Sequence, residues 1–185
     1  MIILKIITNH KNQLIMSVLE NVRVYLSGAI EFGNGPNWRI EPKKILKNKF
    51  GLHVFDPFDD PKQQWTSSLK EAREKADYET IRQIAKNFVR KDLCLLDRSD
   101  FLIAYMPYGV PTTGSCHEII NSVNSKKPTL LVCDRPKEYL PFWYYGIIPY
   151  ECMFSCWDEL YVYLQDVNDK KHKDNNRWHF IYGMV

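Results

Sequence analysis

The run Phe101–Met106 constrains the fold of this chain more than any other segment, because all six of its residues are apolar or aromatic. A strand with one face in water alternates apolar and polar side chains, whereas a strand covered on both faces is apolar throughout. Strands of the second kind are typical of parallel sheets that lie between two layers of helices. We therefore interpret residues 101–106 as a strand buried inside an α/β sheet.

The segments on either side of this strand alternate between strand-like and helical patterns. Short β-rich runs predict four further strands, and apolar side chains at helical spacing predict four helices. The predicted strands cover residues 22–27, 52–55, 128–133 and 150–154, and the predicted helices cover residues 38–49, 67–97, 115–124 and 157–167. This order predicts an α/β, doubly wound fold with a mostly parallel five-stranded sheet and helices on both faces.

Length and composition fit a single domain of ordinary size. The chain has 185 residues, of which 45% are hydrophobic and 25% are charged, so it has enough apolar side chains to form a core. Met16 stands just before the first predicted strand. We therefore predict an N-terminal extension at residues 1–17 and one domain at residues 18–185.

Charge and hydropathy narrow the range of partners. The net charge is +3, without a long run of Lys or Arg, so we expect no nucleic-acid polymer as a partner. No apolar run approaches the ~20 residues that cross a bilayer, and the apolar start of the chain lacks a small-residue cleavage site. These features predict a cytoplasmic protein without a membrane partner.

The five cysteines predict buried thiols rather than a metal site. Their number is odd and their spacing is irregular, as in proteins of a reducing compartment. Cys152 and Cys156 are four residues apart, but no second pair stands at ligand spacing, so we predict no metal. Neither a GxGxxG sequence nor a P-loop occurs, and we predict no cofactor.

The segment Thr112–Glu118 links the strand at residues 101–106 to the next predicted helix and places an acid in the first turn of that helix. Two interpretations are open. Ser115 and Glu118 have the spacing of a capping box, in which the Glu side chain only satisfies the helix terminus. In the second interpretation, the helix N-terminus lowers the pKa of Glu118. The carboxylate then acts as a nucleophile at the carboxyl ends of the strands, where ligands of open α/β sheets bind.

Asp92 is an acid on an apolar helix face, four residues after Phe88 and four before Leu96. A carboxylate on the inward face costs several kcal/mol unless it is paired or borders a cavity. One interpretation is therefore that Asp92 lines a site. The other is a slightly rotated helix in which Asp92 pairs with Arg90 or Lys91 at the rim.

Three residues at the end of the first predicted strand and one acid before the third complete the candidates. Gly28 allows a ligand to approach the backbone closely, and Tyr25 on the same strand could reach the carboxyl end of the sheet, although a core aromatic is the alternative. Ser27 precedes Gly28 in the same turn. Asp100 stands just before the strand at residues 101–106, where a simple turn Asp is the alternative to a supporting role.

Taken together, these residues resemble the nucleoside 2-deoxyribosyltransferase family from residue 22 onward. The resemblance rests on the order and spacing of several short elements. These are Tyr25-Leu26-Ser27-Gly28, the pair Asp92 and Asp100, Gly114-Ser115-Cys116-His117-Glu118, the step Lys127-Pro128, the aromatic stretch Leu140–Ile147 and the aromatic tail His179–Val185. The resemblance implies a flavodoxin-like fold.

The resemblance also implies a reaction and a set of roles. Glu118 would attack the anomeric carbon of a 2-deoxyribonucleoside and form a deoxyribosyl-enzyme, from which a second base takes the sugar. Asp92 would hold the sugar hydroxyls, and Tyr25 would orient Glu118. The further substrate-binding candidates are Ser27, Gly28, Trp38, Asp56, Asp59, Asp100, Gly114, Ser115 and Trp143, with Asp100 in a supporting position.

Partners and alternatives follow from the same resemblance. Nucleosides or nucleotides and free nucleobases would be the small-molecule partners, and a homo-oligomer would share its pocket between subunits through residues 140–147. The loop Val110–Thr113 lacks a carboxylate that some family members carry, and Asp56 or Asp59 could replace it. The alternatives are a 2-deoxynucleoside 5-phosphate N-hydrolase, with phosphate contacts from Ser27, Ser115 and Arg39, and a non-catalytic nucleotide-binding protein.

Overall fold

A computed structural model describes residues 17–31, 35, 37–59 and 66–183 of the chain. The predicted extension therefore lies outside the described residues, except for Ser17 at its end. Within them the chain forms one five-stranded sheet in the order β2-β1-β3-β4-β5, and every pair of neighbouring strands is parallel. The strands are β1 (Arg23–Gly28), β2 (His53–Phe55), β3 (Phe101–Met106), β4 (Thr129–Cys133) and β5 (Met153–Phe154).

Helices cover both faces of this sheet. The α-helices are α1 (Ile40–Phe50), α2 (Thr66–Glu74), α3 (Tyr78–Arg98), α4 (Thr113–Asn124), α5 (Phe142–Tyr145), α6 (Trp157–Asn168) and α7 (His179–Tyr182). Helices α3 and α4 pack on each other and on β1, while α1 packs on α6. The predicted doubly wound α/β fold is thereby confirmed, and the first four residues of β3 are buried as its apolar sequence predicts.

Three predicted boundaries differ from the structure. The helical stretch at residues 67–97 is two helices, because Ala76 has a positive φ of 54° and the Asp77 side chain caps α3 by accepting a hydrogen bond from the backbone N–H of Thr80. The fifth strand is only two residues long, since Tyr150–Cys152 forms a 3-10 turn. Helix α4 begins at Thr113, two residues before the predicted Ser115.

The aromatic tail packs at the amino end of the sheet. Trp178 is fully buried, and its ring lies 5.4 Å from that of Phe101, the first residue of β3. Its indole N–H donates to the hydroxyl of Tyr163 at 3.0 Å. Trp178 therefore anchors the described part of the tail at this end of the sheet, away from the carboxyl ends of the strands. In the described part of the chain, no helix is long and apolar enough to cross a membrane.

The strand order fixes where a ligand can bind. The chain moves outward from β1 to β2 and then returns past β1 to β3, so the crossovers leave β1 and β3 in opposite directions. In flavodoxin-like sheets this switch point opens a crevice at the carboxyl ends of the two strands. The side chains that follow or end β1 and β3 are therefore the first candidates for a site.

Candidate active site

The carboxylate of Glu118 lies at this switch point and is held by two hydroxyl groups of β1. Tyr25 and Ser27 are two residues apart on the strand and therefore share one face of the sheet. The Tyr25 hydroxyl donates to Glu118 Oε1 at 2.7 Å, and the Ser27 hydroxyl donates to Glu118 Oε2. Each carboxylate oxygen thus receives one hydrogen bond, which fixes the orientation of the group.

This geometry excludes the capping-box interpretation. Helix α4 starts at Thr113, so Glu118 is its sixth residue and stands beyond the first turn. Its two oxygens face β1 rather than the N–H of Ser115, which is itself inside the helix. The capping box was expected because the pattern Ser-x-x-Glu is common at helix starts, but the helix begins one half-turn earlier.

Burial raises the pKa of Glu118 to about 7. The hydrogen bonds from Ser27 and Tyr25 oppose this rise, the negative charge of Asp92 adds to it, and the positive charge of Arg39 opposes it. The expected lowering of the pKa by the helix N-terminus is therefore wrong, because desolvation of the side chain outweighs it. A carboxylate with this pKa changes its charge near neutral pH.

Asp92 faces the same crevice from α3. It is one of two buried residues of this helix, with 8% of its surface exposed, so the interpretation that places it at the rim is excluded. Its charge raises the pKa of Glu118 and also that of Tyr25, whose pKa is raised first of all by burial. The structure therefore brings Tyr25, Asp92 and Glu118 together from one strand and two helices.

A buried arginine, which the sequence indicated only as a phosphate contact, lies beside this group. Arg39 ends a 3-10 turn at Asn37–Arg39 and is 2% exposed. Its Nη1 donates to the carbonyl of Ala29 at 2.8 Å and its Nη2 to that of Gly28 at 2.9 Å. Its Nε lies 3.3 Å from Asp56 Oδ1, at an angle that makes the contact an ion pair rather than a hydrogen bond.

Asp56 and Asp59 belong to this ionic network. Asp56 is buried, and Lys43 of α1 donates to it at 2.9 Å. The same Lys43 amine pairs with Asp59, which is half exposed. Both acids are therefore neutralised by cations of the chain, so neither is placed as the free proton donor that the sequence suggested.

Gly28 and Trp38 form a tight junction at the end of β1. Gly28 has a φ of 155°, and a Cβ atom there would lie 2.3 Å from Cζ2 of Trp38. The Trp38 indole N–H donates to the carbonyl of Ala29 at 2.9 Å, and its ring lies 4.8 Å from that of Tyr105 on β3. An aromatic side chain thus covers the carboxyl ends of both switch-point strands.

The remaining predicted residues divide by position. Gly114 and Ser115 lie in the first turn of α4, the former exposed and the latter buried. Trp143 lies on α5 with 73% of its surface exposed. The neighbouring Tyr144 is buried and connects α5 to α4 through a 3.1 Å contact between its hydroxyl and the Cys116 sulfur.

Asp100 does not join the site. It accepts hydrogen bonds from the backbone N–H and the guanidinium of Arg23, at 2.6 to 3.0 Å. Arg23 is the first residue of β1, so this pair ties together the amino ends of β1 and β3, at the edge opposite Glu118. The supporting role expected for Asp100 is corrected to that of a structural ion pair.

The strand order and crossovers define a flavodoxin-like α/β protein, and this fold has a counterpart among solved structures. The chain is similar to a 2-deoxyribosyltransferase from the psychrotolerant bacterium Bacillus psychrosaccharolyticus, with a TM-score of 0.54 and 18% sequence identity, over 75% of this chain and 90% of that one. At this identity the likeness establishes the fold. Comparisons with known protein families and with curated protein sequences find no match.

Proposed function

We propose that the protein cleaves the N-glycosidic bond of 2-deoxyribonucleosides and transfers the deoxyribose to another nucleobase through a covalent intermediate on Glu118. The observation that carries the proposal is the buried carboxylate of Glu118, oriented by Tyr25 and Ser27 beside Asp92 at the switch point of the sheet. The similar solved structure is that of a 2-deoxyribosyltransferase, which supports the same class of reaction.

The residues fit the two steps of such a transfer. A carboxylate oxygen keeps a second lone pair while it accepts one hydrogen bond, so Glu118 can attack C1′ without losing its contacts to Tyr25 and Ser27. The bond from C1′ to the base breaks, its electron pair stays on the base nitrogen, and Glu118 carries the sugar. A nitrogen of the second base then attacks C1′ and releases the carboxylate. The proton lost by this acceptor base balances the one that the leaving base takes up.

The positions of the polar side chains favour a nucleoside over a nucleotide. Two of the three groups that could bind a 5-phosphate are engaged within the chain: Ser27 donates to Glu118, and Arg39 donates to two backbone carbonyls. The third, Ser115, is buried in the first turn of α4. Lys43, the nearest further cation of α1, is shared by Asp56 and Asp59. A substrate phosphate bound by Ser27, Arg39 or Lys43 would have to break one of these contacts.

The proposal is tested by incubating the protein with a 2-deoxyribonucleoside, with and without a second free nucleobase, and separating the products by chromatography. We expect the new nucleoside to appear in the presence of the acceptor. Release of the sugar that needs no acceptor and is improved by a 5-phosphate would indicate the N-hydrolase instead. Tight nucleoside binding without any product would indicate a non-catalytic binding protein.

A Tyr25→Phe variant is expected to lower kcat/KM about 10- to 100-fold at pH 7. The variant removes a hydrogen bond to a buried carboxylate, which is typically worth about 1.5–3 kcal/mol, and the pKa of Glu118 then rises because that bond lowers it. Tyr163→Phe is the matched control, since its buried hydroxyl accepts a hydrogen bond from Trp178 at the far end of the sheet. Equal activity losses in both variants would contradict the role of Tyr25.

We also propose that the protein is a homo-oligomer in which residues 140–147 complete the pocket of a neighbouring subunit. Phe142 and Trp143 are 91% and 73% exposed, a large apolar area on so short a helix. The segment is nevertheless held in place by Tyr144, which directly follows Trp143 and is buried. The Tyr144 hydroxyl contacts the sulfur of Cys116, which stands two residues before Glu118. The two rings therefore point outward from a fixed base near the site.

Replacing both Phe142 and Trp143 by Asp is expected to dissociate the oligomer. The same preparation of the variant should also have a lower transfer activity. Charged side chains at the centre of an apolar interface remain buried without partners and weaken association strongly. Light scattering after gel filtration measures the mass, and the transfer assay measures the activity. Tyr78→Asp is the control, because Tyr78 is 75% exposed on α3, outside this surface. A monomeric wild type would contradict the proposal.

A further inference from the structure

We propose that Arg39 is a positioning residue of this site, which fixes the carboxyl end of β1 through two backbone carbonyls and places a positive charge near the acids of the site. The inference rests on the proposed function only in that Glu118 acts as the nucleophile. Within the described residues Arg39 makes no hydrogen bond or ion pair with Glu118, so its effect passes through the backbone and the electrostatic potential.

The first part of the argument is geometric. The two terminal nitrogens of Arg39 donate to the carbonyls of Gly28 and Ala29, which directly follow the residues that hold Glu118. A free strand end would let the hydroxyls of Tyr25 and Ser27 move relative to α4. The planar guanidinium suits this place because it presents its donors in a rigid fork, which a lysine amine does not.

The second part concerns the charges that face Arg39. Asp56, in the loop after β2, lies on one side with Lys43 of α1 behind it. Tyr25 of β1, Asp92 of α3 and Glu118 of α4 face it from the remaining elements, and each of them acts on the charge of Arg39. Among the described residues, three buried carboxylic acids thus act on the charge of one buried guanidinium. Removal of Arg39 would take from Glu118 an attractive charge that lowers its pKa.

The test is a titration of Glu118 in the free protein, followed by the carboxyl ¹³C resonance, which is assigned with Glu118→Gln. We expect a pKa of about 7 in the wild type and a higher value in Arg39→Met, because the positive charge of Arg39 lowers the pKa of Glu118. A rise of about one pH unit is the low end of the shift that a neighbouring opposite charge causes at a carboxyl group. The Arg39→Met/Asp56→Asn double variant removes both partners of the Arg39–Asp56 ion pair, so no buried aspartate loses its arginine. It keeps the test valid should Arg39→Met alone fail to fold.

Arg39→Lys separates charge from packing. It keeps the positive charge but loses the fork, so we expect the pKa of Glu118 to rise less than in Arg39→Met, and only because the freed strand end loosens the hydrogen bonds from Tyr25 and Ser27 that lower it. At pH 7 the kcat/KM of Arg39→Met should fall about fivefold through the smaller ionised fraction and recover near pH 9. An unchanged Glu118 pKa in the folded double variant, or an equal rise in Arg39→Lys, would overturn the inference.

The titration needs no substrate, so the two proposals fail separately. A Glu118 pKa that responds to Arg39 in a protein without transfer activity would refute the proposed function and leave the coupling standing. A protein that transfers deoxyribose with a Glu118 pKa independent of Arg39 would refute the inference alone.

Discussion

Glu118→Gln is expected to abolish deoxyribosyl transfer while making the folded protein more stable above pH 7. The amide has nearly the shape of the acid but is not a nucleophile, and loss of a nucleophile costs at least about 10³-fold in kcat. Gln can still accept a hydrogen bond from Tyr25 through its oxygen and donate one to the Ser27 hydroxyl. The variant should therefore fold with the same contacts around position 118.

The stability change follows from the pKa of the buried acid. Because the folded-state pKa of Glu118 is raised from 4.5 to about 7, its contribution to stability is fully present below pH 4.5 and is lost as the pH rises through 7. The difference amounts to about 3 kcal/mol. Gln carries no charge, so Glu118→Gln should match the wild type near pH 4 and exceed it by up to that amount at pH 8.

Urea unfolding at the two pH values measures this difference. Glu74→Gln on the exposed end of α2 is the control, and we expect it to leave both activity and stability nearly unchanged. If Glu118→Gln keeps its activity and its free energy of unfolding falls by about 1 kcal/mol at every pH, Glu118 only supports the helix.

Asp92→Asn is expected to lower kcat/KM about 10- to 100-fold and to shift the acidic limb of the pH profile to lower pH. The loss arises because an ionised acceptor binds a sugar hydroxyl more strongly than an amide does. The shift arises because the charge of Asp92 raises the pKa of Glu118, so its removal lets Glu118 ionise at a lower pH.

The profile of kcat/KM against pH measures both effects in one experiment. Asp97→Asn makes the same change at an exposed position of the same helix and should leave the profile in place. A limb that stays at the wild-type pH in Asp92→Asn, or moves to higher pH, would contradict the proximity of the two acids.

The fold was predictable because its signal lies in short continuous runs. The apolar strand Phe101–Met106 and the alternation of strands and helices required a covered parallel sheet, and the structure has one. The three-residue break between α2 and α3 was missed, because Ala76 favours helices by propensity although its positive φ ends the helix.

The site was predictable where the residues follow the strand order, and not where they depend on contacts across the fold. Tyr25 and Glu118 come together because β1 and the helix after β3 meet at the switch point. Arg39 gave no sequence signal for its role, since its main partners are backbone carbonyls and an acid 17 residues further on. Asp100 resembled a site residue by spacing, but an acid before a parallel strand lies at the opposite edge.

The central claim is that Glu118 carries the sugar during the reaction, and mass spectrometry of the protein tests it most directly. The wild type is mixed with a 2-deoxyribonucleoside in the absence of an acceptor base, quenched and digested. We expect a mass increase of one deoxyribosyl group on the peptide that contains Glu118, which disappears when a free base is added before the quench. Turnover of the nucleoside without any modified peptide, or with the sugar on another residue, would contradict the account.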